Sequence, residues 1–470
     1  MKLSRMLICL VIIFLLINSV IEIVNSQMDF RTINFQDKNF EQAIRNEINK
    51  KVGEITLDDL MNITEIDFSD YDLRTIKEIE YFINLQELRI DVSLINDISP
   101  ICKLYKLERI SIGNFKDANL IDVDIEKIGN MINLKELSIN QINLNNCDLS
   151  VFGNLKKLHT ISLRNTGIDN ISFISNLTSL EKLIITGSYS TWNNIEDINP
   201  IRQLVNLKEL QLTFNGKPLK NCETIGNLTG LEVLIFNYNI INDFNFIRNL
   251  KELKVLNLDS VIGLSDINFL TGLKKLEKLN ISGTGIRDIS PIGNLIELKE
   301  LNLANTDVIN FDSLSGLKNL EVLDLGATGI EDISFLSELV KLRELKIASS
   351  MVLGTNKVED ITPIKNLENL VILNLSGNNI KDISSLRKLL KLEQLILESN
   401  EIEDIKPLSG LHNLQILILS YNKINDISTL KELPNLKSVY LYGNNLDITN
   451  KSTNYDTIMY LQKEGVNVYY

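Results

Sequence analysis

Cysteine, histidine and tryptophan are scarce in this chain of 470 residues, and glycine and proline are sparse as well. The two histidines, His159 and His412, belong to no shared motif. A phosphate-binding glycine loop, paired Cys or His at metal-ligand spacing and a nucleophile elbow are all missing from the sequence. We therefore predict no catalytic site, no metal and no cofactor. The low glycine and proline content also argues against a long disordered linker.

The few cysteines do not form a disulfide framework. Cys9 lies in an N-terminal leader, which leaves Cys102, Cys147 and Cys222 widely separated in the body of the chain. We interpret these three as buried small apolar side chains. One disulfide with a remaining thiol is the alternative.

The charge balance excludes one class of partner. The chain has 61 acidic and 48 basic residues and a formal net charge of −13. A surface of this sign repels phosphate groups, so nucleic acid and anionic membranes are not expected partners.

The first residues predict export. Lys2 and Arg5 precede an apolar run from Met6 to Ile17, and Val24-Asn25-Ser26 comes before Gln27, with the small Ser26 at the expected cleavage site. This arrangement is typical of a secretory signal peptide over residues 1–26. The run is also long enough to remain as an uncleaved membrane anchor. In both cases the body of the protein is predicted to be extracellular.

Leucine recurs every 22 residues, as at Leu276, Leu298, Leu320 and Leu342. The copy that starts at 392 reads LEQLILESNEIEDIKPLSGLHN, and the pattern is L-x-x-L-x-L-x-x-N-x-I-x-D-I-x-x-L-x-x-L-x-x. It continues back to a degenerate copy at Ile63, which gives 17 copies. Because no single copy can bury its own apolar row, such a repeat predicts a solenoid of stacked coils.

Each column of the repeat has a structural reason. The L-x-L alternation predicts a short strand with one face inward. Asn in the ninth position, as at Asn378 and Asn400, predicts a buried ladder of bonds from side chain to backbone, with Thr306 as a smaller version. Asp in the thirteenth position, as at Asp288 and Asp426, predicts the N-cap of a short helical turn. A calcium site would need more oxygen ligands in one loop.

Both ends of the array predict caps. An amphipathic helix is expected over about residues 39–50, and Thr56-x-x-Asp59 predicts the start of a second. Residues 455–463 are predicted to be helical and 466–470 to form a last strand. The predicted organisation is a signal peptide at 1–26, an N-terminal helical cap at 27–62, leucine-rich repeats at 63–445 and a C-terminal cap at 446–470.

The repeat, with its N-x-I-x-D-I-x-P-L segment, resembles the internalin class of leucine-rich-repeat proteins over residues 63–445. The segment IEYFINL at 79–85 is similar to the internalin entry into the first coils. The resemblance implies an α/β solenoid, a curved right-handed horseshoe with a parallel concave sheet and short helical turns outside. It also implies a secreted or surface-attached bacterial protein that binds other proteins, often host proteins. The immunoglobulin-like module and the wall-anchoring tail common in that class are not found, which leaves attachment and receptor open.

Apolar side chains replace polar ones in two stretches of the predicted concave face. The first contains Ile396, Ile418, Tyr421, Tyr440 and Tyr442, and the second contains Ile184, Phe214, Ile235 and Tyr238, with Trp192 in an extended coil nearby. Exposed aromatic clusters are typical of binding hot spots. Coverage by the C-terminal cap, or plain strand preference, is the alternative for the first stretch.

The predicted function is that of a secreted or surface-associated module that binds a protein, for example a cell-surface or host protein, by its concave face. A glycan ligand is a second possibility within binding. The alternative is a non-adhesive scaffold or an intracellular regulatory subunit of the phosphatase-regulator type, which the same 22-residue class includes.

Overall fold

The computed structural model describes residues 32–116, 119–349 and 356–470. The predicted signal peptide lies outside these residues. Within them, no helix has the length and apolar character needed to cross a membrane. The chain divides after Ile195 into two compact units, and each is described separately.

The first unit contains a helical cap followed by six parallel strands. Its helices are α1 (Lys38–Glu47) and α2 (Leu57–Leu60), and its strands are β1 (Glu65–Phe68), β2 (Glu87–Asp91), β3 (Arg109–Gly113), β4 (Glu136–Asn140), β5 (Thr160–Arg164) and β6 (Lys182–Thr186). Each strand pairs in parallel with the next along the chain. The 3-10 helices on the return path are Lys77–Tyr81, Ser99–Lys103, Ile125–Asn130, Leu149–Asn154 and Ser172–Asn176.

The second unit continues the same coil design and ends in a cap. Its strands are β7 (Glu209–Thr213), β8 (Val233–Ile235), β9 (Val255–Asn257), β10 (Lys278–Asn280), β11 (Glu300–Asn302), β12 (Val322–Asp324), β13 (Glu344–Lys346), β14 (Ile372–Asn374), β15 (Gln394–Ile396), β16 (Ile416–Ile418), β17 (Ser438–Tyr440) and β18 (Asn467–Tyr469). Helix α3 (Thr453–Lys463) precedes β18. The 3-10 helices are Asn199–Gln203, Cys222–Asn227, Asn245–Asn249, Asn268–Gly272, Ser290–Asn294, Asp312–Gly316, Ser334–Glu338, Thr362–Ile364, Ser384–Lys388, Lys406–Leu408 and Ser428–Glu432.

The leucine columns form the core of each unit. In the coil from residue 392, Leu392, Leu395 and Leu397 are fully buried, and the later Ile402 and Leu408 fill the same interior. Successive coils align these positions, because β15 and β16 pair Leu395 with Leu417. The core is therefore a stack of apolar layers between a parallel sheet and a row of 3-10 helices. This arrangement is the predicted leucine-rich-repeat solenoid.

The ninth-position asparagines form the predicted buried ladder. The Asn400 Nδ2 donates to the carbonyl oxygens of Leu375 at 3.0 Å and Leu397 at 3.1 Å, and its Oδ1 accepts from the Ile380 N–H at 3.1 Å. Each amide thus satisfies groups in its own coil and in the preceding one. In the threonine version, the Thr306 Oγ1 donates only to the Leu303 carbonyl, at 2.6 Å.

The thirteenth-position aspartates lie one residue earlier than an N-cap. The Asp288 Oδ1 accepts from the Ser290 N–H at 2.8 Å, and Asp426 accepts in the same way from Ser428 at 2.9 Å. The N-cap of the first of these 3-10 helices is the following residue, Ile289. The N-cap assignment was wrong by one residue, because the carboxylate reaches forward by two residues to the first N–H of the turn.

The end caps match the predicted elements with shifted bounds. Helix α1 ends at Glu47, earlier than predicted, because Asn49 adopts a left-handed conformation with φ of 51°. Its Phe40 packs edge-on against Phe68 of β1, with ring centroids 5.3 Å apart. The capping box between Thr56 and Asp59 is present at the start of α2.

Long coils add residues after the strand and then rejoin the repeat. The coil from Leu342 has 28 residues, and Asn356 beyond its extra stretch takes the ladder position. The Asn356 Nδ2 donates to the Leu325 and Ala348 carbonyls, both at 3.2 Å. Its backbone N–H also donates to the Ser349 Oγ at 2.8 Å, so the two ends of the extra stretch are joined.

Candidate protein-binding surface

The parallel register places equivalent side chains of successive strands in rows on the exposed sheet face. The fifth position of the repeat gives one such row in the second unit. From β9 to β18 it contains Asn257, Asn280, Asn302, Asp324, Lys346, Asn374, Ile396, Ile418, Tyr440 and Tyr469. The row changes from polar to apolar between Asn374 and Ile396.

The polar part of this row is largely engaged with its own backbone. The Asn280 Oδ1 accepts from the Ser282 N–H at 3.0 Å, and Asn302 accepts from Ala304 at 2.9 Å. Asp324 accepts from the Gly326 N–H at 2.9 Å, and burial raises the pKa of its carboxyl. These side chains fix the end of each strand, which gives them a structural role.

Charged residues at the second position of the repeat border the sheet in alternating sign. From β7 to β13 they are Lys208, Glu232, Lys254, Glu277, Lys299, Glu321 and Arg343. The Lys254 Nζ lies 2.7 Å from Glu232, and the Lys299 Nζ lies 2.8 Å from Glu277. Hydrogen bonds from these lysines hold the pKa of both glutamates below its usual value. The border therefore neutralises itself and offers little net charge to a ligand.

The apolar end of the row forms a continuous surface with neighbouring tyrosines. We call it the C-terminal patch, and it comprises Ile396, Ile416, Ile418, Tyr421, Tyr440, Tyr442 and Tyr469. Tyr421 is 61% exposed and Tyr442 is 47% exposed, whereas Ile418 and Tyr440 are half-buried. The rings of Tyr440 and Tyr469 stack with centroids 4.5 Å apart and planes 10° from parallel.

The C-terminal cap extends this surface as a further strand. β18 pairs with β17 and places Tyr469 beside Tyr440 in the same row. The alternative prediction was that the cap folds over the patch. The cap contacts the patch through the stack of Tyr469 on Tyr440, at the border of the patch. Tyr469 was not among the residues predicted for the site. Alignment of the predicted last strand with the strand position of the repeat would have placed Tyr469 in the row of Tyr440 and so identified it from the sequence.

Tyr421 has a backbone conformation that is unusual for a bulky residue. Its φ is 57°, in the left-handed region, and a Cβ added to Gly443 would lie 2.5 Å from its ring. The ring therefore rests directly on the glycine of the next coil. The eighth position is also left-handed at Asn305 and Gly377, residue types that suit it better.

The second predicted group divides between the two units. In the second unit, Phe214 and Tyr238 occupy left-handed eighth positions, and their rings stack with centroids 4.3 Å apart and planes 18° from parallel. Ile235 is half-buried in β8. In the first unit, Trp192 is 39% exposed, next to a turn in which Ser188 and Thr191 pair. Ile184 lies in the fifth-position row as predicted, opposite Ser162, but it is only 3% exposed, so it does not present its side chain to solvent.

Sites for metal or thiol chemistry are not evident in the described part of the chain. No group of three or more His, Cys, Asp or Glu side chains there is placed to hold a metal ion. Cys102, Cys147 and Cys222 are all free thiols. Cys222 is buried as predicted, whereas the other two are half-buried. Burial raises the pKa of Cys222 to about 12, which makes this thiol a poor nucleophile.

Comparison with known proteins identifies the repeat. A family model described as "Leucine Rich repeats (2 copies)" matches residues 296–338, 368–410 and 412–452. A leucine-rich-repeat protein of Leptospira interrogans has a TM-score of 0.61 and 22% identity, and the match covers 93% of this chain and 100% of that chain. The functional domain of InlJ from Listeria monocytogenes has a TM-score of 0.56 and 19% identity, with 86% and 79% covered.

Internalin C2 of Listeria monocytogenes has higher sequence identity over a shorter span. It is 32% identical over 42% of this chain and 83% of its own, with a TM-score of 0.39. No curated protein matches the chain.

Proposed function

Because the chain belongs to the internalin-like leucine-rich-repeat proteins, we propose that it is an exported module that binds a partner protein through the exposed face of its sheet. The leader at residues 1–26 supports export, to the medium or to the cell surface. The C-terminal patch is the main anchor for the partner.

The chemistry of the patch is the observation that supports this proposal. Across β15 to β18, Glu398 is the only charged residue at the third, fifth and seventh positions of the repeat. The other side chains at these positions are aliphatic, aromatic or uncharged polar groups. Removal of charge at the centre, with aromatic residues retained, is characteristic of interface cores. The self-paired charges and backbone-bound amides from β9 to β14 offer no comparable surface.

The conformation of Tyr421 supports the same surface. A bulky side chain in a left-handed conformation costs about 1–3 kcal/mol, and such strain concentrates at binding sites. Its ring is 61% exposed, so burial within the fold does not repay that cost. A partner that covers the ring would recover free energy by removing its apolar area from water.

Phe214, Ile235 and Tyr238 form the second part of the proposed surface, and Trp192 of the first unit is proposed as a separate contact. Phe214 and Tyr238 carry the same left-handed strain as Tyr421 and stack on each other. We assign Phe214 and Tyr238 a secondary contact with the partner, because they are half-buried while Tyr421 and Tyr442 of the C-terminal patch are more exposed.

The test compares capture by three forms of the full chain. Wild type, the double variant Ile418→Glu with Tyr440→Ala, and the control Ile309→Glu are immobilised and exposed to solubilised cell-surface proteins. Ile309 is 77% exposed and lies outside the patch, so its substitution makes the same chemical change elsewhere. We expect wild type and control to retain the same protein and the double variant to lose it, with a loss of at least about 2 kcal/mol in affinity.

A second variant separates binding from folding. Tyr440 stacks on Tyr469, so the double variant could also loosen the cap. Tyr421→Ala removes an exposed ring and should weaken capture while the melting temperature stays constant. Retention of the partner by both patch variants would refute the proposal. A specific signal on a glycan array in place of protein capture would assign the surface to a glycan.

Export is tested separately by sequencing the mature N-terminus. A protein recovered from the medium that begins near Gln27 fits the proposal. Recovery only inside the cell would favour the scaffold or intracellular-regulator alternative.

A further inference from the structure

The last strand, β18, has one open edge. In its pairing with β17, the Asn467 N–H donates to the Lys437 carbonyl at 2.9 Å and the Tyr469 carbonyl accepts from Leu441 at 2.7 Å. Alternate residues of a strand direct their backbone groups to the same side. The N–H and C=O of Val468 therefore point away from β17, and no strand in the described part of the chain pairs with them.

This edge lacks the features that normally prevent strand pairing. Native sheets protect an edge with charged side chains, proline or a covering element. The segment from Val466 to Tyr470 reads VNVYY and contains neither charge nor proline. By contrast, β1 carries exposed Glu65 and Asp67, and Phe40 of α1 packs against its Phe68.

Exposed apolar side chains lie on β18 and on α3, the helix that precedes it. Tyr469 is 38% exposed and Tyr470 is 45% exposed. Met459, on the opposite face of α3 from the buried Thr457 and Leu461, is 38% exposed. One face of the Tyr469 ring stacks on Tyr440, and a second ring placed against the other face would extend the stack.

We propose that two copies of this chain associate tail to tail through β18. In an antiparallel pair centred on Val468, the two Val468 residues exchange both N–H···O=C bonds. Tyr469 then lies opposite Asn467 of the second copy, and the two Tyr469 rings come within diagonal reach. A two-fold contact of this kind is self-complementary and closes after two copies.

A head-to-tail contact, in which β18 of one copy pairs with β1 of another, is the alternative arrangement. The acidic side chains of β1 oppose it. Pairing of β18 with β1 of another copy would bring Tyr469 and Asn467 against Glu65 and Asp67, and would leave these carboxylates partly desolvated. The isologous contact buries no charge. Two short strands bury less than the roughly 1,000 Å² of a stable interface, so Met459 and Tyr470 are needed to complete it.

The experiment measures the oligomeric state of the full chain by sedimentation velocity over a range of concentrations. Val468→Pro removes an N–H that β17 does not use, and proline is tolerated at such an edge position. Tyr469→Lys places a charge near its two-fold mate. Tyr105→Lys makes the same change at a tyrosine of the first unit that is 61% exposed.

We expect wild type and Tyr105→Lys to form dimers as the concentration rises. Val468→Pro and Tyr469→Lys should each raise the dissociation constant at least about tenfold, which corresponds to about 1.4 kcal/mol. The melting curve should stay unchanged for Val468→Pro, which keeps the stack of Tyr469 on Tyr440, so this variant separates loss of the dimer from loosening of the cap. A wild-type chain that stays monomeric up to about 200 µM would overturn the proposal. A dimer that survives both substitutions would do so as well. No partner protein enters this assay, so its outcome is independent of the proposed function.

Discussion

Replacement of Asn400 by alanine is the sharpest test of how the coils are held together. The Asn400 amide makes four hydrogen bonds to backbone groups, two of them in the preceding coil, and the side chain is only 7% exposed. Alanine would leave the Ile380 N–H without its partner at a depth where water cannot replace the amide fully. The Leu375 and Leu397 carbonyls would each lose one of two amide donors, because Asn378 and Asn422 still donate to them.

The expected loss is large for one residue. One buried donor left unsatisfied costs about 1–3 kcal/mol, and the weakened bonding of the two carbonyls adds to it, so we expect a loss of about 2–4 kcal/mol. Asn400→Thr should recover about 1 kcal/mol, because a threonine hydroxyl can donate to the Leu397 carbonyl as Thr306 does to Leu303. Asn374→Ala is the matched control, since its amide lies on the exposed sheet face and its loss should cost about 1 kcal/mol.

Hydrogen exchange is the appropriate assay, because a solenoid can open locally without unfolding as a whole. Protection of the Ile380 N–H should fall strongly in Asn400→Ala and stay near wild type in Asn374→Ala. Urea unfolding followed by circular dichroism gives the overall loss. The reasoning is refuted if Asn400→Ala costs no more than the surface control.

Three further predictions concern other parts of the chain. A thiol reagent should modify Cys222 more slowly than Cys102 or Cys147 in the native protein, since burial raises its pKa to about 12; equal rates would contradict this assignment. The backbone hydrogen bond from Ser428 is the chief cause that lowers the pKa of the Asp426 carboxyl in the folded protein. The ionised carboxylate therefore stabilises the fold above pH 3.8, and this stabilisation is lost as the pH falls through the folded-state pKa. Asp426→Asn should thus melt with a weaker acid dependence than wild type, and an unchanged dependence would argue against it. Gly443→Ala should lower stability by about 1 kcal/mol or more, because its φ of 68° and the Tyr421 ring both oppose a Cβ; an unchanged melting temperature would contradict the ring placement.

The coil architecture could be predicted from the sequence because the 22-residue period places the strand, the buried asparagine and the 3-10 helix at fixed positions in each repeat. Once Leu395 and Leu397 are assigned to the inward face, the strand, the Asn400 ladder and the following 3-10 helix are fixed in order. The prediction was less accurate where backbone geometry decides the outcome. The aspartates bond forward by two residues, and Asn49 ends α1 early by adopting a left-handed conformation.

The candidate site was only partly accessible from the sequence. The row of Ile396, Ile418 and Tyr440 follows from the 22-residue period alone. The stack of Tyr469 on Tyr440 required the register of a strand that lies outside the repeat. The burial of Ile184 depends on packing around its coil, and a column position alone does not reveal it.

The long coils share one construction detail that bears on how such a protein can change. At the coil from Leu342, hydrogen bonds between Ser349 and Asn356 join the two ends of the extra residues before the ladder resumes. At the coil from Leu107, the Asn114 Nδ2 donates to the Asn119 carbonyl at 3.1 Å across a similar stretch. These hydrogen bonds return the chain to the repeat, so a foreign peptide grafted at this point of either coil would be displayed while the coil that follows keeps its own contacts.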